Sequence, residues 1–250
     1  MSSAIDKIID RLTDIVAQAE KENNPAGYFA ALYRQVTIRI REGILKGEFE
    51  DNQRMEQLDV IFANRYLDAY DLYMDGKIPM QSWAIAFNAA KSKKGIILQH
   101  MLLGMNAHIN LDLGIAAVET VGNGKLLPLK NDFNAINSIL ASLVDDVQER
   151  IGKASPLFGI LDPLAGKVDE DLINFSMGLA RDGAWKFAEK LYLARKSNKE
   201  QIIADRDFRI AVISENLGNP KSRWLRNVLR IIGWFEWRNT ARIIQVLTAD

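Results

Sequence analysis

Apolar residues recur at three- and four-residue spacing along almost the whole chain, and this helical periodicity limits the fold more than any other feature. The first predicted helix, for example, carries Ile5, Leu12 and Ile15 on one face. Valine, isoleucine and threonine nowhere alternate with polar residues between turn signals, so no strand is predicted. We therefore expect an all-α protein, a multi-helix bundle of eight or nine helices.

The most apolar segment predicts how these helices are arranged. A helix at about 95–121 is apolar nearly all round, and such a helix is normally buried at the centre of a bundle. We interpret residues 1–250 as a single all-helical domain around it. Two domains separated at the predicted loop 152–166, which contains Pro156 and Pro163, are the alternative.

Composition excludes several classes of function. The chain balances 32 basic against 32 acidic side chains, so it lacks the positive field of a nucleic-acid-binding protein and no nucleic-acid partner is expected. The absence of cysteine excludes disulfides, thiolate metal sites and a cysteine nucleophile. Aspartates interrupt the N-terminal apolar residues, which predicts a cytoplasmic protein without a signal peptide. No transmembrane segment is expected, because the stretch 95–118 contains both histidines, two asparagines and an aspartate.

Residues 100–120 are the most informative segment, because polar side chains interrupt this apolar helix. His108 and Asp112 are four residues apart, so their side chains can meet on one helix face. Asn106 and Asn110 have the same spacing on a different side. If the helix is buried, each of these groups needs a partner, since an unpaired polar group in the interior is strongly destabilising.

Three explanations of this polar cluster stay open. The first is a pocket for a small-molecule ligand, or a catalytic pocket in which His108 transfers a proton and Asp112 orients it. The second is a hydrogen-bonded network that only fixes helix packing, in a protein without enzymatic activity. The third is a metal site with ligands from His108, Asp112 and Glu119. It is disfavoured because His100 lies too far along the helix and no Glu-x-x-His motif occurs. The sequence identifies no cofactor.

Two further helices offer side chains that could complete a pocket. Asn64 and Asp68 lie on a polar stripe of the third helix, which faces solvent unless that helix is covered on both sides. Arg181 and Trp185 share one face of a later helix. A guanidinium beside tryptophan favours partial burial with a carboxylate partner, for which Asp112 is the candidate. The alternative is that Arg181 only lays its stem across Trp185 at the surface.

The C-terminal segment, residues 223–247, is both aromatic and basic. Trp224, Val228, Ile231 and Phe235 form one apolar stripe, and tryptophans share another side with arginines. We consider three interpretations, in this order: a terminal helix packed across the bundle, a homodimer formed through this Arg/Trp helix, and contact with a membrane surface.

The central segment also carries a resemblance. The block GMNAHINLDL at 104–113 is its most specific part. Three further blocks support it and follow one another along the chain in the order found in the family: LDVIFANRYLDAY, DFNAINSIL and ARDGAW. Together they resemble a bacterial domain family of unknown function that is recognisable by an Asn-Ala-His-Ile-Asn core. The resemblance implies an all-helical fold and no particular activity. It suggests that the family pattern includes Asn64, Asp68, Asn106, His108, Asn110, Asp112, Arg181 and Trp185.

Overall fold

The computed structural model describes residues 3–157, 159 and 177–249, and these contain eleven α-helices and no strand. The all-α prediction is confirmed, but the helices outnumber the eight or nine predicted. Most of the loop predicted at 152–166 lies outside the described residues. The helices are α1 Ala4–Glu22, α2 Ala26–Lys46, α3 Asn52–Met74, α4 Gln81–Ser92, α5 Ile97–Ala107, α6 Leu113–Val121, α7 Lys130–Ala154, α8 Met177–Leu193, α9 Lys196–Gly218, α10 Arg223–Phe235 and α11 Thr240–Thr248.

One additional helix arises because the predicted C-terminal helix divides into α10 and α11. At Glu236 the backbone leaves the helical conformation, and the carboxylate accepts a hydrogen bond from the Ile97 amide at 3.0 Å. The side chain of Asn239 then caps α11 by accepting from the Arg242 amide at 3.0 Å. Contacts between distant parts of the chain therefore set this break, and the local periodicity does not reveal them.

The apolar helix predicted at about 95–121 runs from Ile97 to Val121, but its geometry changes in the middle. Between α5 and α6, residues 108–112 form a π-helical turn, in which the Leu113 amide donates to the carbonyl of His108. Such turns are rare and frequently lie at functional sites. This π turn contains both the histidine and the aspartate of the predicted cluster.

Among the described residues, Ile97–Val121 is the one helix long and apolar enough to cross a bilayer. Inside the protein, however, 89% of its most apolar window is buried. The described part of the chain therefore shows no clear transmembrane segment.

The two halves of this helix pack against different neighbours. The first half, α5, contacts α2, α4 and α9, whereas α6 contacts α3 and α8. Two glycines permit the close approach, Gly104 against Phe29 of α2 and Gly114 against α8. A Cβ at Gly114 would lie 2.6 Å from Phe187 Cδ1 and 2.8 Å from the carbonyl oxygen of Ala184. The π turn between the two halves packs against α3, α8 and α9.

Gly114→Ala should destabilise the protein by about 1–3 kcal/mol, because α8 must move to admit the methyl group. Gly152→Ala is the matched control, since a Cβ at that position in α7 meets no atom within 4 Å. The control should be neutral or slightly stabilising, because alanine is the better helix former. Urea unfolding of the three proteins measures the difference, and equal effects at both positions would contradict the close α6–α8 packing.

Candidate functional site

Four aspartates are buried among the described residues, and hydrogen bonding separates one of them from the others. Asp112, Asp132 and Asp207 each accept three hydrogen bonds from other parts of the protein. Asp59, which is 1% exposed, has no hydrogen-bond partner on either carboxyl oxygen among the described residues. Because buried carboxylates are normally paired, Asp59 requires a separate explanation.

The Asp112 carboxylate connects three parts of the fold. It accepts hydrogen bonds from Arg65 Nε of α3 at 2.9 Å and from Trp83 Nε1 of α4 at 2.8 Å. His108 Nδ1 lies 3.3 Å from the same carboxylate. Arg65 also lies 3.8 Å from the exposed Glu119. The expected pairing of Arg181 with Asp112 is therefore wrong, because Arg65 occupies that place.

Asn106 and Asn110 hold the π turn against α9. Asn106 Nδ2 donates to the Ile210 carbonyl at 3.1 Å and to Ser214 Oγ at 2.9 Å. Asn110 Nδ2 donates to Asn106 Oδ1 at 2.9 Å, and Arg206 Nε donates to the Asn110 carbonyl at 2.9 Å. These contacts satisfy the two amides with protein partners, as a structural network requires.

Asp59 lies in the wall of a cavity of about 60 Å³ between α2, α3, α7, α8 and the π turn. Four lining residues carry polar groups, namely Tyr33, Asp59, His108 and Arg181. The remainder of the described wall is apolar: Phe29, Leu32, Val36, Ile40, Met55, Leu58, Phe62, Met105, Ile109, Leu113, Ile136, Leu140 and Met177. A few polar groups converging in an apolar cavity are typical of small-molecule sites.

A second cavity of about 180 Å³ adjoins the first. The two share Leu32, Val36, Met105, Leu140 and Met177, and the second extends to the exposed side chain of Gln148. For comparison, an engineered apolar cavity of roughly 150 Å³ binds benzene. The second cavity alone is therefore comparable in volume to a site for a small organic molecule, and shared side chains separate it from the smaller cavity at Asp59.

Burial raises the pKa of Asp59 to about 7, and the charge of nearby Glu56 adds to this effect. The carboxyl group therefore changes protonation state near neutral pH. The Tyr33 hydroxyl belongs to the same environment, because burial, followed by the charge of Asp59, raises the pKa of Tyr33. The ring of Tyr33 stands edge-on to His108, with 4.5 Å between the ring centres.

His108 is held from two directions. The Phe62 ring stacks on the imidazole at 3.6 Å, and the Asp112 carboxylate lies beside Nδ1. Since an ionised carboxylate only accepts hydrogen bonds, Nδ1 carries the proton. Burial lowers the pKa of His108, while Asp112 acts in the opposite direction. Nε2 is then an unprotonated acceptor, and it has no hydrogen-bond partner among the described residues.

Arg181 also contributes to the cavity wall, and Trp185 lies beside it. The guanidinium of Arg181 donates from Nη2 to the Phe133 carbonyl and stacks 4.6 Å from the Phe133 ring, while its Nε has no partner among the described residues. Burial lowers the pKa of Arg181 to about 10. Trp185 donates to Glu189 at 2.8 Å and is not among the lining residues. The arginine is therefore buried, in contrast to the surface alternative.

The remaining sequence candidates lie elsewhere. Asn64 and Asp68 are exposed on α3, on the side expected to face solvent. His100 is buried beside Tyr28, away from the cavity wall, and burial lowers its pKa to about 4. Over the described ranges, no three histidine, aspartate or glutamate side chains converge to hold a metal ion. The metal alternative therefore has no support in this part of the chain.

Sequence reasoning missed Asp59, Tyr33 and Arg65. Asp59 follows Met55 by four residues and precedes Phe62 by three, so it interrupts the apolar face of α3. A carboxylate on an apolar face was the available signal. Arg65 gave no comparable signal, because an arginine on a helix with a polar stripe is ordinary.

The all-helical fold and its cavity can be compared with known proteins. A family model described as a family of unknown function (DUF5995) matches residues 5–220. The chain therefore belongs to this family. No curated protein matches the chain, and no solved structure matches it either. The bacterial origin and the signature motif suggested by the sequence stay predictions.

Through Asp59, the wild-type protein should become less stable as the pH rises. Asp59→Asn should abolish this pH dependence. The folded-state pKa is about 7, and that of an unfolded aspartate is about 3.9. The folded protein therefore holds an extra proton between these values. The stability from this group is complete below about pH 4 and falls towards pH 7, by up to about 1.4 kcal/mol per pH unit. Urea unfolding across this range measures the free energy of unfolding of both proteins. The value for the variant minus that for the wild-type protein should increase as the pH rises.

The comparison contains its own controls. The lowered pKa values of His100 and His108 change stability in the opposite direction, but both residues are present in each protein and cancel in the difference. Asp132→Asn should instead destabilise the protein at neutral pH, because it removes the counter-charge of Arg54 at 2.6 Å. A stability difference for Asp59→Asn that does not change with pH would contradict the assignment.

The imidazole of His108 should be neutral at pH 6.5, the ordinary midpoint for histidine, with its proton on Nδ1. Nitrogen-15 NMR of the ring measures both properties, and the chain contains two histidines, so the spectrum is simple. Protein unfolded in urea provides the reference pKa. A proton on Nε2 would show that Asp112 does not orient this ring, and an unshifted pKa would contradict the effect of burial on the imidazole.

Proposed function

We propose that the protein binds a small, mainly apolar molecule in the Asp59–His108 cavity and that His108 accepts a proton from a polar group of this ligand. The observation that carries the proposal is the unpaired Asp59 carboxyl, buried in the wall of an apolar cavity. Its position contrasts with three other buried aspartates whose partners are complete. A ligand hydroxyl or amine would supply the missing hydrogen bond.

The chemistry of the wall limits the ligand. Drug-sized ligands occupy sites of roughly 300–1,000 Å³, whereas these cavities measure about 60 and 180 Å³. A ligand the size of a substituted benzene or a short alkyl chain would place its apolar body in the larger cavity and extend its polar group past the shared side chains into the smaller one. Its polar group would meet Asp59 and the lone pair of His108 Nε2, so a hydrogen-bond donor such as a hydroxyl is favoured.

The proposed proton transfer uses two residues in different roles. His108 is the catalytic candidate, because its neutral Nε2 can take a proton without first losing one. Asp112 is a positioning residue, since its hydrogen bond from Nδ1 fixes the tautomer and would stabilise the imidazolium that forms. Arg181 would bind a negative charge that develops on the ligand in the same cavity.

The structural explanation applies to a different part of the predicted cluster. Asn106 and Asn110 have protein partners on α9, and the exposed Asn64 and Asp68 lie outside the cavity. We therefore assign the two amides to helix packing and restrict the ligand site to Tyr33, Asp59, His108 and Arg181. A cytoplasmic location, a single domain and a homodimer through the C-terminal helix stay predictions.

Phenol is a suitable probe, because it combines a small apolar body with one hydroxyl donor. Titration with phenol should shift the ring resonances of His108 and leave those of His100 unchanged. Asp59→Asn should weaken binding about 5- to 10-fold, the loss expected for one hydrogen bond of about 1–1.4 kcal/mol. Toluene, which has the same ring but no hydroxyl, should also bind more weakly.

Two results would overturn the proposal. If phenol leaves the His108 resonances unchanged, the cavity does not admit a ligand of this class. If toluene binds as tightly as phenol and Asp59→Asn changes nothing, the polar groups of the wall do not recognise a ligand. Circular dichroism melting of Asp59→Asn distinguishes a loss of phenol binding from a loss of folding.

A further inference from the structure

Helix α10 presents large apolar side chains to solvent. It packs on the protein through Leu225, Leu229 and Ile232, which are buried. The predicted stripe of Trp224, Val228, Ile231 and Phe235 lies beside this buried face, with Trp224, Ile231 and Phe235 exposed. Trp234 is 66% exposed as well. The helix therefore packs across the protein as first interpreted, but two of its tryptophans are left uncovered.

The same part of the chain is strongly basic, although the protein as a whole has no net charge. Residues 221–242 contain six lysines and arginines and a single carboxylate, Glu236. Glu236 is turned inward, where it accepts hydrogen bonds from the Ile97 amide. Within this segment Lys221, Arg223, Arg230, Arg238 and Arg242 are exposed, whereas its one carboxylate faces inward.

On the α10 helical wheel, basic and apolar residues occupy adjoining sectors of the outer surface. Arg223 and Arg230 share one side, Trp234 lies next to them, and the stripe of Trp224 and Ile231 follows. This order is typical of helices that lie in a membrane interface, with aromatic rings at the acyl boundary and arginines at the phosphates.

We propose that α10 docks the protein on the surface of an anionic lipid bilayer. Charge complementarity favours this occupant over a second copy of the chain, because an α10-to-α10 dimer would bring two basic surfaces together. The helix would lie parallel to the membrane, with Trp224, Ile231, Trp234 and Phe235 inserted and the arginines paired with lipid phosphates. The contact is peripheral and does not involve the Asp59–His108 cavity.

Cosedimentation with vesicles tests this proposal. The protein should bind phosphatidylcholine vesicles that contain phosphatidylglycerol, and should not bind vesicles of phosphatidylcholine alone. Salt should weaken the binding, since it screens surface charge. Phe235→Ser and the double variant Arg223→Glu/Arg230→Glu should each reduce binding about tenfold or more. Circular dichroism melting confirms that these surface variants remain folded.

Phe208→Ser is the matched control, because Phe208 of α9 and Phe235 are both 59% exposed. The control should retain vesicle binding. Failure of the wild-type protein to bind the anionic vesicles would overturn the proposal, as would equal losses for Phe208→Ser and Phe235→Ser. Light scattering tests the alternative occupant, a second copy of the chain. If the wild-type protein forms a stable dimer that Phe235→Ser dissociates, and does not bind vesicles, the surface belongs to a dimer interface. Phenol titration of His108 is independent of all these results.

Discussion

The carboxylate of Asp112 is buried and needs hydrogen-bond donors, and the arrangement of the central helices depends on the donors that it has. An isolated buried charge is strongly disfavoured, so its stability requires several donors with good geometry. Arg65 and Trp83 provide two donors from α3 and α4, and His108 provides the third from the π turn. One negative charge thus connects two helices to the middle of a third.

This connection also determines the chemical state of His108. Because Asp112 pairs with Nδ1, the lone pair remains on Nε2, which has no hydrogen-bond partner among the described residues. The His108 ring itself lies among the residues that line the apolar cavity. Stacking by Phe62 and the edge of Tyr33 fix the ring plane. The hydrogen bonds around Asp112 therefore leave Nε2 of His108 as an acceptor that no described residue uses. The predicted structural network and the predicted pocket are therefore compatible with each other, since the same imidazole pairs with Asp112 and lies among the residues that line the cavity.

Some helix ends carry a local sequence signal, whereas the parts that depend on tertiary contacts do not. Asn23 and Gly47 end their helices in the left-handed conformation, as their residue types suggest. The π turn has no such signature, and a helical wheel at 100° per residue assumes that it is absent. Asp59 gives a weaker sequence signal than the polar residues of the most apolar helix, because α3 also carries a polar stripe. Its burial becomes evident only once α2 and α8 are placed around α3.

The family model covers the residues of the cavity but not those of the α10 surface. The matched region, residues 5–220, includes every described residue that lines the cavity, and it ends before α10 begins. A function based on Asp59 and His108 can therefore belong to the family model, whereas docking through Trp234 and its neighbours lies beyond it. The two proposals rest on different helices and different forces: the cavity on the cost of an unpaired buried carboxyl, the surface on exposed apolar area beside positive charge. Either can be correct without the other, and a relative that lacks a basic aromatic helix at this position could still contain the cavity.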